Sequence, residues 1–296
     1  VPAYVDRRVV DLVAARAAAE VAATQLGLPE PELIRHGMNA IYRCSDVVLR
    51  VATPNAPAGL SIEFAVMLDR AGIPVAAPAS DLVVDTHGHA VTAWGYVRSN
   101  GSPIDWRGVG EIVSAVHRLD RGAVPAGLPT PSPVEFPWWD HESLLDDVDD
   151  LLDDRARTGL QSAIERHRGW RDWDRADAVL CHGDVHPGNV IMTDDGPVLV
   201  DWDLLCVAPP GWDHAPMMTW AQRWGGAPGE YDALAGGAGW SARGDRFGEA
   251  FAELRLVSAT LMRLKVLRTV AAAAPEAMRR LAYWRGDPDA PIWQAQ

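Results

Sequence analysis

Apolar side chains recur at helical spacing from residue 6 to residue 26 and stop at Gly27, Leu28 and Pro29, which predicts an amphipathic helix closed by breakers. From 33 to 52 the pattern changes to alternation, LIRHGMNAIYRCSDVVLRVA, with Gly37-Met38-Asn39 and Ser45-Asp46 as turn signals. A period of two marks strands with one buried face, so two or three short antiparallel strands are expected there. Ser61 stands where an N-cap would open the helix SIEFAVMLDRAG, which ends at Gly72. DLVVDTHGHAVTAWGYV then reads as two strands joined at Thr86-His87-Gly88.

After the polar stretch SNGSP at 99–103 the helical period dominates, in WRGVGEIVSAVHRL, in ESLLDDVDDLLDDR and in FGEAFAELRLVSATLMRLKVLRTV. In the helix expected over 141–157, Leu144, Leu145, Val148, Leu151 and Leu152 form one stripe. Asp146, Asp147, Asp149, Asp150, Asp153 and Asp154 fall outside it. Such a face is either a solvated helix surface or a field that attracts a polyamine.

The segment LCHGDVHPGNVIMTDDGPVLVDWD, residues 180–203, interrupts this helical text. AVLC predicts a short buried strand, HGDVHPGN a loop, NVIM a second strand, DDG a hairpin turn, and PVLVDWD a third strand ending in acids. His182 and His186 have the spacing of a zinc-binding histidine pair, but that spacing works only on a helix, and Gly183 and Pro187 oppose one. A purely structural turn is a second reading. The third follows from charge: phosphoryl transfer needs a carboxylate beside the acceptor hydroxyl and oxygen ligands for magnesium on the nucleotide phosphates. Asp184, Asn189 and Asp201 carry such groups, and the hairpin returns Asp201 toward the loop.

HGDVHPGN followed by LVDWD resembles the HGDxHxxN and IDWE/D signatures of the aminoglycoside phosphotransferase family, a branch of the protein-kinase-like fold. The resemblance extends over nearly the whole chain. It implies an α+β, bilobal architecture: a small antiparallel-sheet lobe at 1–97 for the nucleotide, a linker at 98–103, and a larger, mainly helical lobe at 104–296 for catalysis and the acceptor. It implies Asp184 as the catalytic base, His186 as a loop-shaping neighbour, Asn189 and Asp201 as magnesium ligands, and Asp203 as support for the metal. Trp94, Gly95, Tyr96 and Val97 would form the hinge that holds the purine, and Gly37 to Ala40, with Asn39, the loop over the phosphates. Asp213, in PPGWDHAPM, would tie down the catalytic loop, with substrate contact as the alternative role. ATP or GTP would be the donor, with Mg2+.

The chain departs from the kinase pattern at the third strand, where a lysine usually grips the phosphates. Here VVLRVA places Arg50, and the only lysine in the sequence is Lys265. Arginine keeps the charge and grips phosphate bidentately, with a different reach. Glu63 is the expected ion-pair partner of Arg50. An exposed strand arginine is the alternative, and with a single glycine in RHGMNAIYRC it keeps in view a nucleotide-binding protein without catalysis. A metal-dependent hydrolase using the same acids is a third class.

Composition narrows the partners. A net charge of -13 over 296 residues argues against nucleic acid and suits a cationic small acceptor. Three scattered cysteines, no secretory signal and no apolar run near about twenty residues point to a cytoplasmic protein outside the membrane. The expected acceptor is a hydroxylated small molecule, either an antibiotic such as an aminoglycoside, with a resistance role, or a metabolite of the choline, homoserine or sugar type. Trp138, Trp139, Trp220 and Trp224 would either line its cleft or pack the core. Oligomeric state is left open.

Overall fold

The computed structural model describes residues 6–294, so residues 1–5 and 295–296 of the two expected lobes lie outside it. In chain order its regular elements are α1 (Leu12–Leu26), β1 (Glu32–His36), β2 (Ala40–Cys44), β3 (Val47–Ala52), α2 (Gly59–Arg70), β4 (Val84–Thr86), β5 (His89–Gly95), α3 (Trp106–His117), α4 (His141–Asp147) and α5 (Asp154–Arg166). There follow β6 (Val179–Cys181), β7 (Val190–Thr193), β8 (Gly196–Leu199), β9 (Cys206–Ala208), α6 (Gly211–Met218), α7 (Trp220–Arg223), α8 (Glu230–Ala238), α9 (Arg246–Leu267) and α10 (Ala274–Trp284). No helix among the described residues is long and apolar enough to cross a membrane.

The chain forms two compact units. Among the described residues, one runs to Thr130 and takes in Pro187–Leu205; the other comprises Pro131–His186 and the residues from Cys206 onward. The first holds a five-stranded antiparallel sheet in the order β1-β2-β3-β5-β4. Alternation sends Tyr42, Leu49, Val51, Val91 and Ala93 to one face, where α1 buries Ala15, Ala18, Ala19, Ala22 and Ala23 against them. Alanines bring a helix backbone close to a sheet and cost no side-chain entropy. The turn between β4 and β5 has positive φ at both His87 and Gly88, the backbone that a two-residue hairpin requires.

Several boundaries differ from the sequence pattern. The first helix opens at Leu12, because Asp11 caps it by accepting from the Val13 and Ala14 amides; Arg7, earlier, bridges to Thr53. Ser61 is no cap: α2 starts at Gly59, and the Ser61 hydroxyl donates to the Ala58 carbonyl. The single helix expected over 141–157 is broken, because Asp153 caps a new helix, α5, through the Arg155 and Ala156 amides. The compact units also do not divide at 97–103. Asn100 in that stretch donates its amide to Met192 and its side chain to Thr193 on β7, and Gly108 of α3 lies so close to Pro197 of β8 that an added Cβ would meet it at 2.9 Å. That close fit keeps α3 with the sheet unit.

The second unit is built around α9. Gly211 of α6 and Gly248 of α9 meet backbone to backbone, where a Cβ on Gly211 would come within 2.8 Å of the Gly248 Cα. Beside this crossing Trp139, Trp212 and Phe251 interlock, with centroids 4.5 Å apart for Trp139–Trp212 and 5.1 Å for Trp212–Phe251. Packing therefore claims these tryptophans. His141 is sealed in the same region, bonded through Nε2 to the Ser258 hydroxyl at 3.0 Å and 2% exposed.

Burial, with the nearby Arg171 charge, pulls the His141 pKa down to about 4, against Asp140, which opposes it. Below about pH 6.5 the unfolded chain takes up a proton that the folded imidazole refuses until about pH 4, so stability present above that window is lost as pH falls through it. The expected loss is about 3 kcal/mol. Urea unfolding of the wild type should show it, and His141→Gln should flatten the slope; an equal slope in the variant would assign the titration elsewhere.

Candidate active site

The sheet face opposite α1 is lined by what the alternation leaves over. Ile41, Val48 and Arg50 point into a cavity of about 450 Å3 in the first unit, within the size range of small-molecule sites. Gly37 and Asn39 from the β1–β2 turn border it, as do Trp94 and Gly95 at the end of β5, Tyr96 and Val97 just after it, and Asp201 and Asp203 after β8. The loop and hinge positions singled out in the sequence thus share one cavity. Two hinge amides are already committed: Gly95 N–H donates to Ala77 at 2.7 Å, and Tyr96 N–H to Asp46 at 2.9 Å. Val97 N–H has no backbone acceptor among the described residues.

Arg50 does not pair with Glu63. Ile62, Phe64, Ala65 and Leu68 take the buried side of α2, which turns Glu63 outward. Arg50 instead reaches Asp203 at 2.7 Å and Asp6 at 2.8 Å, both through Nη2. Burial works against its charge, but the carboxylates of Asp203, Asp6 and Asp201 prevail and hold the guanidinium firmly protonated. Burial likewise raises the Asp6 carboxyl, with Asp203 adding to the rise against Arg50. Asn39 donates Nδ2 to Asp203 at 3.1 Å, and its Oδ1 is buried without a hydrogen-bond partner among the described residues. Asp203 is therefore the acid on which Arg50 and Asn39 meet.

Asn189 and Asp201 are placed by the β7–β8 hairpin. The Val200 amide donates to the Asn189 carbonyl at 3.0 Å, which prolongs the ladder and sets Asn189 beside the residue that precedes Asp201. β8 ends at Leu199, short of the acids, because Asp201 turns into the left-handed region with φ 68°. A non-glycine residue there is strained, and strain of this kind marks sites where a side chain must be aimed.

Asp184 and His186 belong to the second unit, on the loop that follows β6. Asp213 on α6 is fully buried and accepts from the His182 amide at 2.9 Å and the Gly183 amide at 2.8 Å, the tying role expected of it. Arg255 on α9 grips the same loop from another side, donating to Asp184 Oδ1 at 2.9 Å and to the Gly183 carbonyl at 2.7 Å. His186 Nε2 lies 3.3 Å from Asp184 Oδ2, and its ring stacks on Trp220, which stacks in turn on Trp224. Burial alone would raise the Asp184 pKa; the bond from His186 and the charges of Arg255, His186 and His182 overcome it and hold the carboxyl well below the usual range. The result is an ionised carboxylate with an imposed direction.

Arg255 and Asp6 were not identifiable from the sequence pattern. Arg255 lies 71 residues beyond Asp184 in a helix whose period accounts for its neighbours, and only a lone charge among Leu254, Leu256 and Val257 hints at it. Asp6 precedes the first helix with no motif around it.

A charged cavity beside an antiparallel sheet, a carboxylate loop and a helical second unit define a protein-kinase-like fold. The model of the phosphotransferase enzyme family (APH) matches residues 32–251, and the chain belongs to that family of small-molecule kinases. Among solved structures, the GDP and kanamycin complex of APH(2")-IIia superposes with a TM-score of 0.72 at 15% identity, covering 92% of this chain and 99% of that one. The spectinomycin phosphotransferase APH(9)-Ia, in complex with ADP and spectinomycin, gives a TM-score of 0.66 at 14% identity, with 86% and 89% covered. A choline/ethanolamine kinase family protein from Mesorhizobium loti gives 0.61 at 18% identity, with 92% and 95% covered. No curated protein matches the sequence.

Removing Asp213 would take from the His182 and Gly183 amides the buried carboxylate they donate to. Asp213→Ala is expected to cost about 3 kcal/mol or more in urea unfolding, and Asp213→Asn, which retains one acceptor oxygen, less. Equal stability of the alanine variant and the wild type would show that the loop does not depend on this carboxylate.

Proposed function

We propose that the chain transfers the terminal phosphoryl group of ATP or GTP to a hydroxyl of a small acceptor. The acceptor oxygen forms the new bond to phosphorus, the bond to the bridging oxygen of the nucleotide breaks, and the nucleoside diphosphate leaves with that electron pair. The observation that carries this reading is Asp184: an ionised carboxylate on a loop anchored by Asp213 and Arg255 suits the task of accepting a hydrogen bond from the acceptor hydroxyl and aligning its oxygen. The acceptor's proton passes to Asp184 as the new bond forms. In a loose phosphoryl transition state little basicity is needed early, so a low pKa is compatible with this role.

The cavity of the first unit fits a nucleotide. Its apolar wall, Ile41, Val48 and Leu199, offers faces for a purine, Val97 a backbone amide, and Arg50 a charge for the phosphates. The orphaned Asn39 Oδ1 is a polar atom still in need of a donor, such as a nucleotide hydroxyl. Asn189 and Asp201 would hold magnesium through the hard oxygen ligands it takes, with Asp203 behind them as the anchor of Arg50 and Asn39. When bound with the nucleotide, the cation supplies neutralisation of the polyphosphate charge. This assigns the nucleotide to the sheet lobe and catalysis and acceptor binding to the helical one. The supply of nucleoside triphosphate and the three buried thiols fit the cytoplasm.

For the acceptor we favour a polycationic hydroxylated antibiotic, supported by the net charge of -13 and by relatives of the same fold crystallised with kanamycin and spectinomycin. A metabolite kinase is the second reading, favoured by the choline/ethanolamine kinase relative. A panel of aminoglycosides, spectinomycin, choline and neutral sugars, scored by nucleotide consumption, tests it: preference for a neutral sugar would overturn the cationic assignment. Asp184→Asn is expected to abolish turnover while nucleotide binding, read by calorimetry, persists. Full activity in that variant would remove the proposed base.

A further inference from the structure

Arg255 does more at the loop than cancel a charge. Its planar fork spans two different acceptors, the Asp184 side chain through Nη1 and the Gly183 carbonyl through Nη2, so the carboxylate is fixed relative to its own backbone. The guanidinium is itself held by packing: it lies 5.4 Å over the Trp212 ring, and its Nε is buried with no hydrogen-bond partner among the described residues. Gly248 lies two helical turns before Arg255 on α9, on the same face, and is the residue that meets Gly211 of α6 backbone to backbone. The helix crossing that seats Asp213 under the loop therefore also sets the reach of Arg255.

We propose that Arg255 is the positioning residue of the phosphoryl transfer, clamping Asp184 Oδ1 to the Gly183 carbonyl and so fixing the direction in which the carboxylate meets the acceptor hydroxyl. The proposal rests on the reading of Asp184 given above. A lysine at 255 would keep the charge but could not span both acceptors with a planar fork. Without a cation at 255, the half-buried Asp184 carboxylate would keep the hydrogen bond from His186 and the charges of His186 and His182 but lose the Arg255 charge that works with them against its desolvation. It would then titrate at higher pH.

The test compares wild type, Arg255→Met, Arg255→Lys and Asp184→Asn. Arg255→Met should lower kcat on the order of 100-fold with little change in KM for the nucleotide, since the group positions the acceptor side. The acidic limb of its pH–rate profile should move up by about one unit or more. Arg255→Lys should keep the wild-type profile yet lose about tenfold in kcat. A readout without turnover is the melting temperature: the gap between wild type and Arg255→Met should narrow as pH falls from about 7 toward about 4.5, because the unpaired carboxylate takes up a proton. With Asp184→Asn in both proteins, the gap should no longer depend on pH. An Arg255→Met enzyme within about twofold of wild type in kcat, with an unmoved acidic limb, overturns the proposal; so does a melting gap whose pH dependence survives Asp184→Asn. Should Arg255→Met fail to fold, an unchanged kcat in Arg255→Lys overturns it instead. If Asp184→Asn proves fully active, the failure lies with the catalytic assignment itself.

Discussion

Everything in the second unit that bears on chemistry depends on how the backbone of Gly183 is held. Its amide donates to Asp213 and its carbonyl accepts from Arg255, so one peptide residue is gripped by a buried acid and a half-buried base from two different helices. Glycine, here with φ 94°, adopts that backbone without a Cβ penalty. A loop fixed at its backbone leaves little freedom to the side chain that follows, and that side chain is Asp184. The energetic logic is that of a coupled polar network: the loop amides donate to the acid and the loop carbonyl accepts from the base, so losing one member strands others.

The first unit solves a different electrostatic problem. Three carboxylates, Asp6, Asp201 and Asp203, surround a single guanidinium, an arrangement that holds an excess of negative charge close to a cavity of nucleotide size. Arg50 offsets part of that charge, and Asn39 donates to one of the acids. The strained backbone at Asp201 belongs to the same economy: a turn that a β-branched residue would resist is tolerated by aspartate.

The fold was legible wherever periodicity and punctuation agreed. The three-stranded start of the sheet, the β4–β5 hairpin with its His87-Gly88 turn, and the β7–β8 hairpin all carried alternation bounded by turn residues. Helix ends were less legible, because Asp11 and Asp153 decide them through side-chain bonds that a hydrophobic stripe does not register. The candidate site was legible as a motif, HGDVHPGN with LVDWD, since the residues of each signature are contiguous. Its partners were not. Glu63 looked suitable by position, and only the burial of its neighbours shows that it points away; Asp6 and Arg255 reach their targets through tertiary packing across long stretches of chain. Tryptophan shows the converse, since Trp139 and Trp212 are spoken for by Phe251 and by each other.

Arginine in place of lysine at position 50 carries a practical corollary for chemical labelling. Acylating nucleotide reagents tag kinases by reacting with a neutral amine beside the phosphates, and a guanidinium ringed by acids offers no such nucleophile. The one amine on a side chain, Lys265, is bonded to Asp147 on α4 of the helical unit. Proteome surveys that enrich kinases by amine capture would therefore pass over this chain even with the cavity of the sheet unit filled.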